Sequence, residues 1–319
     1  MKAITNMRYG GPEVLVLQDL AKPMPKDDEV LVKVYATGLN YADYIHLTGK
    51  PLFVRPMVGG VFKPKVTVIG SDIAGIVEAV GKDVQQFKVG DEVFGETWGG
   101  FAEYVCAKEK QLALKPKSLS FEQAAALPMA GMTALQALKQ KPDLAGKQVL
   151  VYGASGGVGS FAVQLAKALG AEVTAVCSTG KMGMLASLGA DSIIDYTQED
   201  FSQRDERYDL IIGANGYRSL DDYLRALKPD GLYVATGGKM RQIFEPMLLG
   251  KWKARKTAKT LSSLVANASQ EHLIELKELV EAGKFVPMID RVYPLEKAAE
   301  AMGYLGGRRA RAKIIITLT

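Results

Sequence analysis

Gln148-Val-Leu-Val-Tyr152, Gly153-Ala-Ser-Gly156-Gly157-Val-Gly159, Ser160 to Leu169, Gly170 and Ala171-Glu-Val-Thr-Ala-Val-Cys177 follow one another without a break. They read as a buried strand, a glycine-rich turn, a helix with apolar residues at helical spacing, a glycine C-cap and a second strand. That is one βαβ unit of about 30 residues, with its glycines where strand becomes helix. Glycines there let the backbone approach a pyrophosphate, and the helix N-terminus offers unpaired N–H groups and the positive end of its dipole. Against G-x-G-x-x-G the match is Ala154, Gly156 and Gly159, so the first position departs. The stretch predicts a dinucleotide, its pyrophosphate held by Ser155, Gly156, Gly157 and Val158.

The end of the second strand selects between cofactors. An Asp or Glu about 20 residues after the first glycine holds the ribose 2′-hydroxyl of NAD. Here the place reads Cys177-Ser178-Thr179-Gly180-Lys181, without an acid. Hydroxyls and a lysine suit a 2′-phosphate, which needs donors and positive charge. NADP(H) is therefore expected, with Ser178 and Lys181 at the phosphate.

At 319 residues the chain is long enough for two domains, each burying its own core. The net charge of +5 is too mild to argue for nucleic acid. Two cysteines, Cys106 and Cys177, supply no disulfide framework, and a cytoplasmic location is expected. No apolar run is long enough to span a bilayer, so no membrane partner is expected.

From the N-terminus, Val14 to Leu17, Glu29 to Ala36, Ile73 to Val80, Val89 to Phe94 and Gly100 to Cys106 read as short strands with glycine at the corners, as in a partly closed β-domain. Asn40 to Thr48 reads as a short helix. Ser120-Phe-Glu-Gln123 is a capping-box pattern opening a helix, which resumes after Pro128. Beyond the βαβ unit, Ser192 to Tyr196, Tyr208 to Ile212 and Gly231 to Thr236 are further strands, with a helix from Ser219 to Leu227. Strands alternating with helices predict an α/β doubly wound parallel sheet. Glu271 to Ala282 is an amphipathic helix with Leu273, Leu276, Leu279 and Val280 inward. Ala312 to Leu318 is a closing strand expected to pack back on the N-terminal part. Lys251 to Lys259, strongly basic, is read as a solvated loop, with an anionic partner patch as its rival reading.

The series Gly38-Leu-Asn-Tyr-Ala-Asp43, Gly70-Ser-Asp-Ile-Ala-Gly-Ile-Val-Glu-Ala-Val-Gly81, Val89-Gly-Asp-Glu-Val-Phe-Gly95, Gly100-Phe-Ala-Glu-Tyr-Val105 and Gly153 to Gly159 resembles the medium-chain dehydrogenase/reductase superfamily, in its zinc-independent quinone oxidoreductase branch. The resemblance runs nearly end to end. It implies a GroES-like, β-rich catalytic domain over 1–122 and 289–319, a Rossmann NADP-binding domain over 123–288, and a nicotinamide in the cleft between them. It further implies cofactor contacts at Thr133, Tyr196, Gly237, Gly238 and Lys313, and a homodimer.

Zinc is argued against by the residues available. The zinc-dependent relatives carry Gly-His-Glu where this chain has Gly70-Ser71-Asp72. Only His46, read as a partly exposed helix residue, and His272 on a surface helix are histidines, and two cysteines cannot form a four-cysteine site. Hydride given to a quinone or an α,β-unsaturated carbonyl spreads its charge over a conjugated oxygen, for which a few donors in a dry site suffice. The resemblance makes Asn40 the polar group facing substrate, and Tyr41 or Tyr44 a wall or proton donor; relatives carry a tyrosine at the place of Ile45. Asp43 is read as tying down a turn. The expected activity is NADPH-dependent quinone or enone reduction. Zinc-free alcohol/aldehyde interconversion and an NADPH-binding protein with an RNA- or partner-binding role remain as alternatives.

Overall fold

The computed structural model describes residues 1–56, 60–216 and 218–318. Met57, Val58 and Gly59 lie outside the described residues. So do Tyr217 and Thr319, the latter the end of the expected 289–319 segment.

In chain order come β1 (Lys2–Thr5), β2 (Val16–Asp19), β3 (Glu29–Leu39), α1 (Tyr41–Thr48), β4 (Asp72–Val80), β5 (Glu92–Glu96), β6 (Tyr104–Lys108) and β7 (Leu112–Leu114). The middle holds α2 (Phe121–Ala125), α3 (Pro128–Lys139), β8 (Gln148–Tyr152), α4 (Gly157–Ala168), β9 (Glu172–Cys177) and α5 (Met182–Ser187). It continues with β10 (Ser192–Asp195), β11 (Tyr208–Gly213), α6 (Leu220–Ala226), β12 (Leu227–Ala235), α7 (Met240–Ala254) and β13 (Thr260–Ser263). The chain closes with α8 (Gln270–Glu281), β14 (Ile289–Pro294), α9 (Ala298–Gly306) and β15 (Lys313–Thr317).

These elements form two units, Met1–Met129 with Ala268–Thr319, and Ala130–Asn267. In the second unit six parallel strands run in the order β10-β9-β8-β11-β12-β13. Val149, Leu150 and Val151 of β8 are wholly buried, as continuous apolar strands covered on both faces must be. Against them α4 buries Phe161 and Leu165, each contributing about 1.5–3 kcal/mol.

The first unit is built on a seven-stranded sheet in which β14-β15-β3-β4-β5-β7 are neighbours and β6 also pairs with β3. The tail strand β15 lies antiparallel to β3 with Ile314 opposite Leu39, so the chain's end returns to its beginning as the apolar run predicted. Val30, Val32, Val34, Ile73, Val77, Ile314 and Ile316 fill its core.

The predicted strands shift at their starts for local reasons. Pro12 opens a 3₁₀ turn, so β2 begins only at Val16. The turn around Gly90, whose N–H bonds Val77 O, delays β5 to Glu92. The N–H groups of Gly99 and Gly100 both go to Gly70 O, which delays β6 to Tyr104. The boundaries drawn from sequence at 123 and 289 differ from this division by α2 and α8. Gln270 of α8 donates to Leu112 O at 2.8 Å, and α2 packs on β3 and β4. The basic stretch is not simply a loop: Lys251 to Ala254 form the last turn of α7.

Candidate functional site

In the second unit, β8 ends at Tyr152 and Gly153 turns the chain with φ +79°, where a Cβ would stand 2.7 Å from the Asn215 N. The left-handed residue is thus one place earlier than the fingerprint's first glycine, which is why Ala154 is accommodated there. At Gly159 a Cβ would come within 2.3 Å of Gly153 O, so glycine is required for helix and strand to cross this closely. Gly156 differs: a Cβ there would meet only Gly153 O, at 3.6 Å. Nothing in the protein forbids a side chain at Gly156; the open space sits at the N-cap of α4, where the first-turn N–H groups have no helical partner. This cradle fits a pyrophosphate.

The strands β8, β9, β10 and β12 are parallel, so the segments following them emerge at one edge of the sheet. That edge gathers Ser155 to Val158, Ser178 and Lys181, Tyr196, and Gly237 with Gly238. Ligands of doubly wound sheets bind at this carboxyl edge. Lys181 N–H closes on Ser178 O at 2.9 Å, putting both residues on one tight turn. Tyr196 is half exposed, and Gly238 is left-handed at φ +100°. Thr133 lies on α3 and is 6% exposed.

An acid that the sequence reasoning passed over lies beside this turn. Asp195 ends β10 opposite Cys177. Its carboxylate accepts from the Thr179 hydroxyl, from Thr197 N at 2.9 Å and from the Thr197 hydroxyl at 2.7 Å. The Thr179 bond above all holds its carboxyl below the usual range. Its charge is taken up by these donors.

The first unit carries a buried polar cluster where β15, β3 and β4 lie side by side. Asn40 follows β3, Ser71 precedes β4, Asp72 opens β4 and Lys313 opens β15. The Lys313 ammonium donates to Asn40 Oδ1 at 2.7 Å and to Asp72 Oδ2 at 2.9 Å. Asn40 Nδ2 donates to Asp72 Oδ2 at 2.9 Å and to Ser71 Oγ at 3.2 Å, while Met129 N donates to Asp72 Oδ1 at 2.9 Å. Asp43 accepts from Asn40 N at 2.7 Å and from Ser71 Oγ at 3.1 Å. Lys313 is 2% exposed and Asp72 and Asp43 not at all, so these charges stand only because they are paired and hydrogen-bonded.

The cluster holds more acid than base. Burial, with repulsion from Asp72, pushes the Asp43 carboxyl up to about 7 against the opposing pull of the Asn40 N–H and of Lys313. Glu96 ends β5 directly opposite Asp72. Burial first, then Asp72 and Asp43, push its carboxyl up to about 7 as well.

Of the expected catalytic residues, only Asn40 joins this cluster. Its amide is fully engaged: both N–H groups go to Asp72 and Ser71, and its oxygen to Lys313. Tyr41 lies on the exposed face of α1, away from buried Asp43, and half-buried Tyr44, three residues on, packs at the flank against the core that holds Leu47. The two tyrosines stack at 5.6 Å and border a cavity of about 580 Å³ with Tyr9, Thr48 and Arg55. Arg308 donates to the Tyr41 hydroxyl at 2.8 Å. Lys313, expected at the cofactor, is held within the first unit by Asn40 and Asp72. His46, expected to be partly exposed, is 2% exposed and packs 4.8 Å from the Trp98 ring.

A catalytic zinc does not fit these residues. Asn40 Oδ1 and Asp72 Oδ2 already hold the Lys313 ammonium. Among the described residues no group of three or more His, Cys, Asp and Glu is placed to hold an ion.

A parallel sheet with a phosphate cradle at its carboxyl edge, together with a β-rich unit carrying a buried acid–amide–ammonium cluster, defines a dinucleotide-dependent oxidoreductase. The family model described as an alcohol dehydrogenase GroES-like domain matches residues 26–117, and that described as a zinc-binding dehydrogenase matches residues 188–316. The 2-methylene-furan-3-one reductase of Solanum lycopersicum is 36% identical over 99% of this chain and 79% of its own. The NADPH-dependent alkenal/one oxidoreductase (chloroplastic) of Arabidopsis thaliana is 35% identical over 99% of this chain and 79% of its own. The quinone oxidoreductase structure from Coxiella burnetii superposes with a TM-score of 0.88 at 32% identity, over 100% of this chain and 99% of that one. The chain belongs to the medium-chain dehydrogenase/reductase superfamily, in its quinone oxidoreductase branch.

Proposed function

We propose that this protein is an NADPH-dependent reductase of quinones or α,β-unsaturated carbonyls that works without zinc. The observation that carries the reading is the Lys313 ammonium on the Asn40 and Asp72 oxygens. With that cation fixed, charge developing on the substrate is met by hydrogen-bond donors, which suffices for a conjugated oxygen and poorly serves a plain ketone. NADP(H) supplies the hydride when bound. The loop at Ser155, Gly156, Gly157 and Val158 holds its pyrophosphate, and Ser178 and Lys181 its 2′-phosphate. Tyr196, Gly237, Gly238 and Thr133 line the remainder of its site. The names of the Solanum lycopersicum and Arabidopsis thaliana relatives, a reductase of a methylene-furanone and an alkenal/one oxidoreductase, support a conjugated acceptor.

The readings as an alcohol dehydrogenase or an RNA binder draw less support. Lys253 of the basic stretch is spent on Asp221 at 2.6 Å, and Lys259 on Leu224 O at 2.7 Å. No helix among the described residues is long and apolar enough to cross a membrane. Our reading includes a homodimer joined through the outer edge of β13, the last strand of the parallel sheet, and a cytoplasmic location, in keeping with the unpaired Cys106 and Cys177. The decisive experiment is NADPH and NADH oxidation over a panel of quinones, enones, aldehydes and ketones. Turnover of the first two classes with NADPH is expected; turnover confined to aldehydes and alcohols contradicts the reading.

A further inference from the structure

We infer that the Glu96 carboxyl, set beside the Asp43–Asp72–Lys313 cluster at the end of β5, is the acid that protonates the oxyanion left by hydride transfer. The inference rests on the proposed reduction of a conjugated acceptor and supplies its missing proton donor.

Four features of the geometry select Glu96. Antiparallel pairing sets Glu96 opposite Asp72, so both side chains rise on the same face of the sheet. On that face Asp72 meets Asn40 and Lys313. The main chain around Glu96 is pinned: its carbonyl accepts from Gln111 Nε2 at 3.1 Å, and Thr97 N–H donates to Ser71 O at 2.8 Å. Its carboxyl, however, takes part in no hydrogen bond among the described residues. The neighbouring acids are saturated by contrast, Asp72 by Asn40, Lys313 and Met129, and Asp43 by Asn40 and Ser71. Asp43 is wholly buried, whereas Glu96 is half-buried and open to the solvent that must reload it.

The step balances as follows. The acceptor takes the hydride with its electron pair at carbon, and the displaced π electrons make its carbonyl oxygen an oxyanion. The Glu96 O–H bond breaks, its electron pair stays on the carboxylate, and a new O–H bond forms on the acceptor. A quinone becomes a hydroxydienone and an enone an enol; both tautomerise in solvent, the first to the hydroquinone and the second to the saturated ketone. Water then returns a proton to Glu96. Asp72 from β4 and Asp43 from α1 favour that return, and Lys313 from β15 opposes it. Since the proton is held up to about pH 7, the acid form is lost as pH rises through that value.

The test is the pH profile of kcat at saturating NADPH, with a quinone and an enone, for the wild type, Glu96→Gln and Glu96→Asp. NADPH affinity and circular dichroism are measured on each. The wild-type kcat is expected to fall above about pH 7. Glu96→Gln is expected to slow turnover on the order of 10²-fold and to flatten that limb, with NADPH affinity unchanged. Glu96→Asp is expected to keep the limb at reduced rate, which decides the matter should the Gln variant fold poorly. Wild-type rate in Glu96→Gln, or its limb retained, overturns the inference. A wild-type enzyme that oxidises no NADPH with either acceptor instead removes the proposed function itself.

Discussion

Replacing Lys313 by Met keeps most of the side chain's volume and removes the ammonium from a pair in which neither partner is more than 2% exposed. Asp72 then retains Asn40 and Met129 as donors but loses its counter-charge. Breaking a buried pair in this way costs about 3–5 kcal/mol. The position in that range depends on pH. At pH 8, Asp43 and Glu96 have lost the protons they hold up to about 7, so Lys313 steadies their carboxylates as well as Asp72 and its removal takes that support from all three. At pH 5.5 those two are neutral and Asp72 bears the loss alone. The expected cost is therefore about 5 kcal/mol at pH 8 and about 3 kcal/mol at pH 5.5. The chain offers a clean assay, because of its two tryptophans Trp98 belongs to the first unit and Trp252 to the second. In a Trp252→Phe background, urea unfolding followed by fluorescence reports the unit that holds the cluster. With a urea slope of about 2 kcal/mol/M, the midpoint should fall by roughly 2.5 M at pH 8 and 1.5 M at pH 5.5. An unchanged midpoint, or the same shift at both pH values, would refute the reasoning.

The same titrations give the wild-type protein a pH-dependent stability. The folded Asp43 carboxyl keeps its proton up to about 7 while the unfolded one releases it near 4, so its contribution is complete in acid and disappears as pH rises through 7. Trp98-reported stability should drop as pH rises from about 4 to about 7 and level off above it, and Asp43→Asn should flatten that slope. Gly156→Val should leave the melting temperature within about 2 °C while weakening NADPH binding more than about 100-fold, because its side chain fills only the phosphate cradle. Gly159→Ala, whose Cβ would stand 2.3 Å from Gly153 O, should lower stability by about 1–3 kcal/mol; calorimetry and coenzyme titration separate the two. Lys181→Glu should raise the NADPH dissociation constant on the order of 10–100-fold and leave NADH within a few-fold, as measured by isothermal titration.

What the sequence discloses is what depends on neighbours along the chain. The βαβ unit is legible because strand, glycines and helix are contiguous, and the tail strand because Ile314 to Ile316 form an apolar run. The helix α7 is hidden by Pro246 inside it and by charges and apolar residues mixed around its circumference. Lys313 and Asp72 are 241 residues apart, and no local pattern announces that β15 and β4 flank the same strand. Glu96 looks like the ordinary polar end of a strand until β5 is laid against β4. The separation of Tyr41 from Asp43 is within reach, since helical spacing alone puts them on different faces. Asp195 lies within the predicted strand Ser192 to Tyr196, and nothing local signals that Thr179 and Thr197 absorb its charge.

The most direct measurement follows the hydrogen itself. NADPH carrying deuterium at the transferable C4 position, supplied with a simple enone and the protein, should yield a saturated ketone with one deuterium at the β-carbon and one NADP⁺ per ketone formed. Reduction without label at that carbon, label at the carbonyl carbon, or no oxidation of the coenzyme would contradict a hydride transfer to a conjugated acceptor.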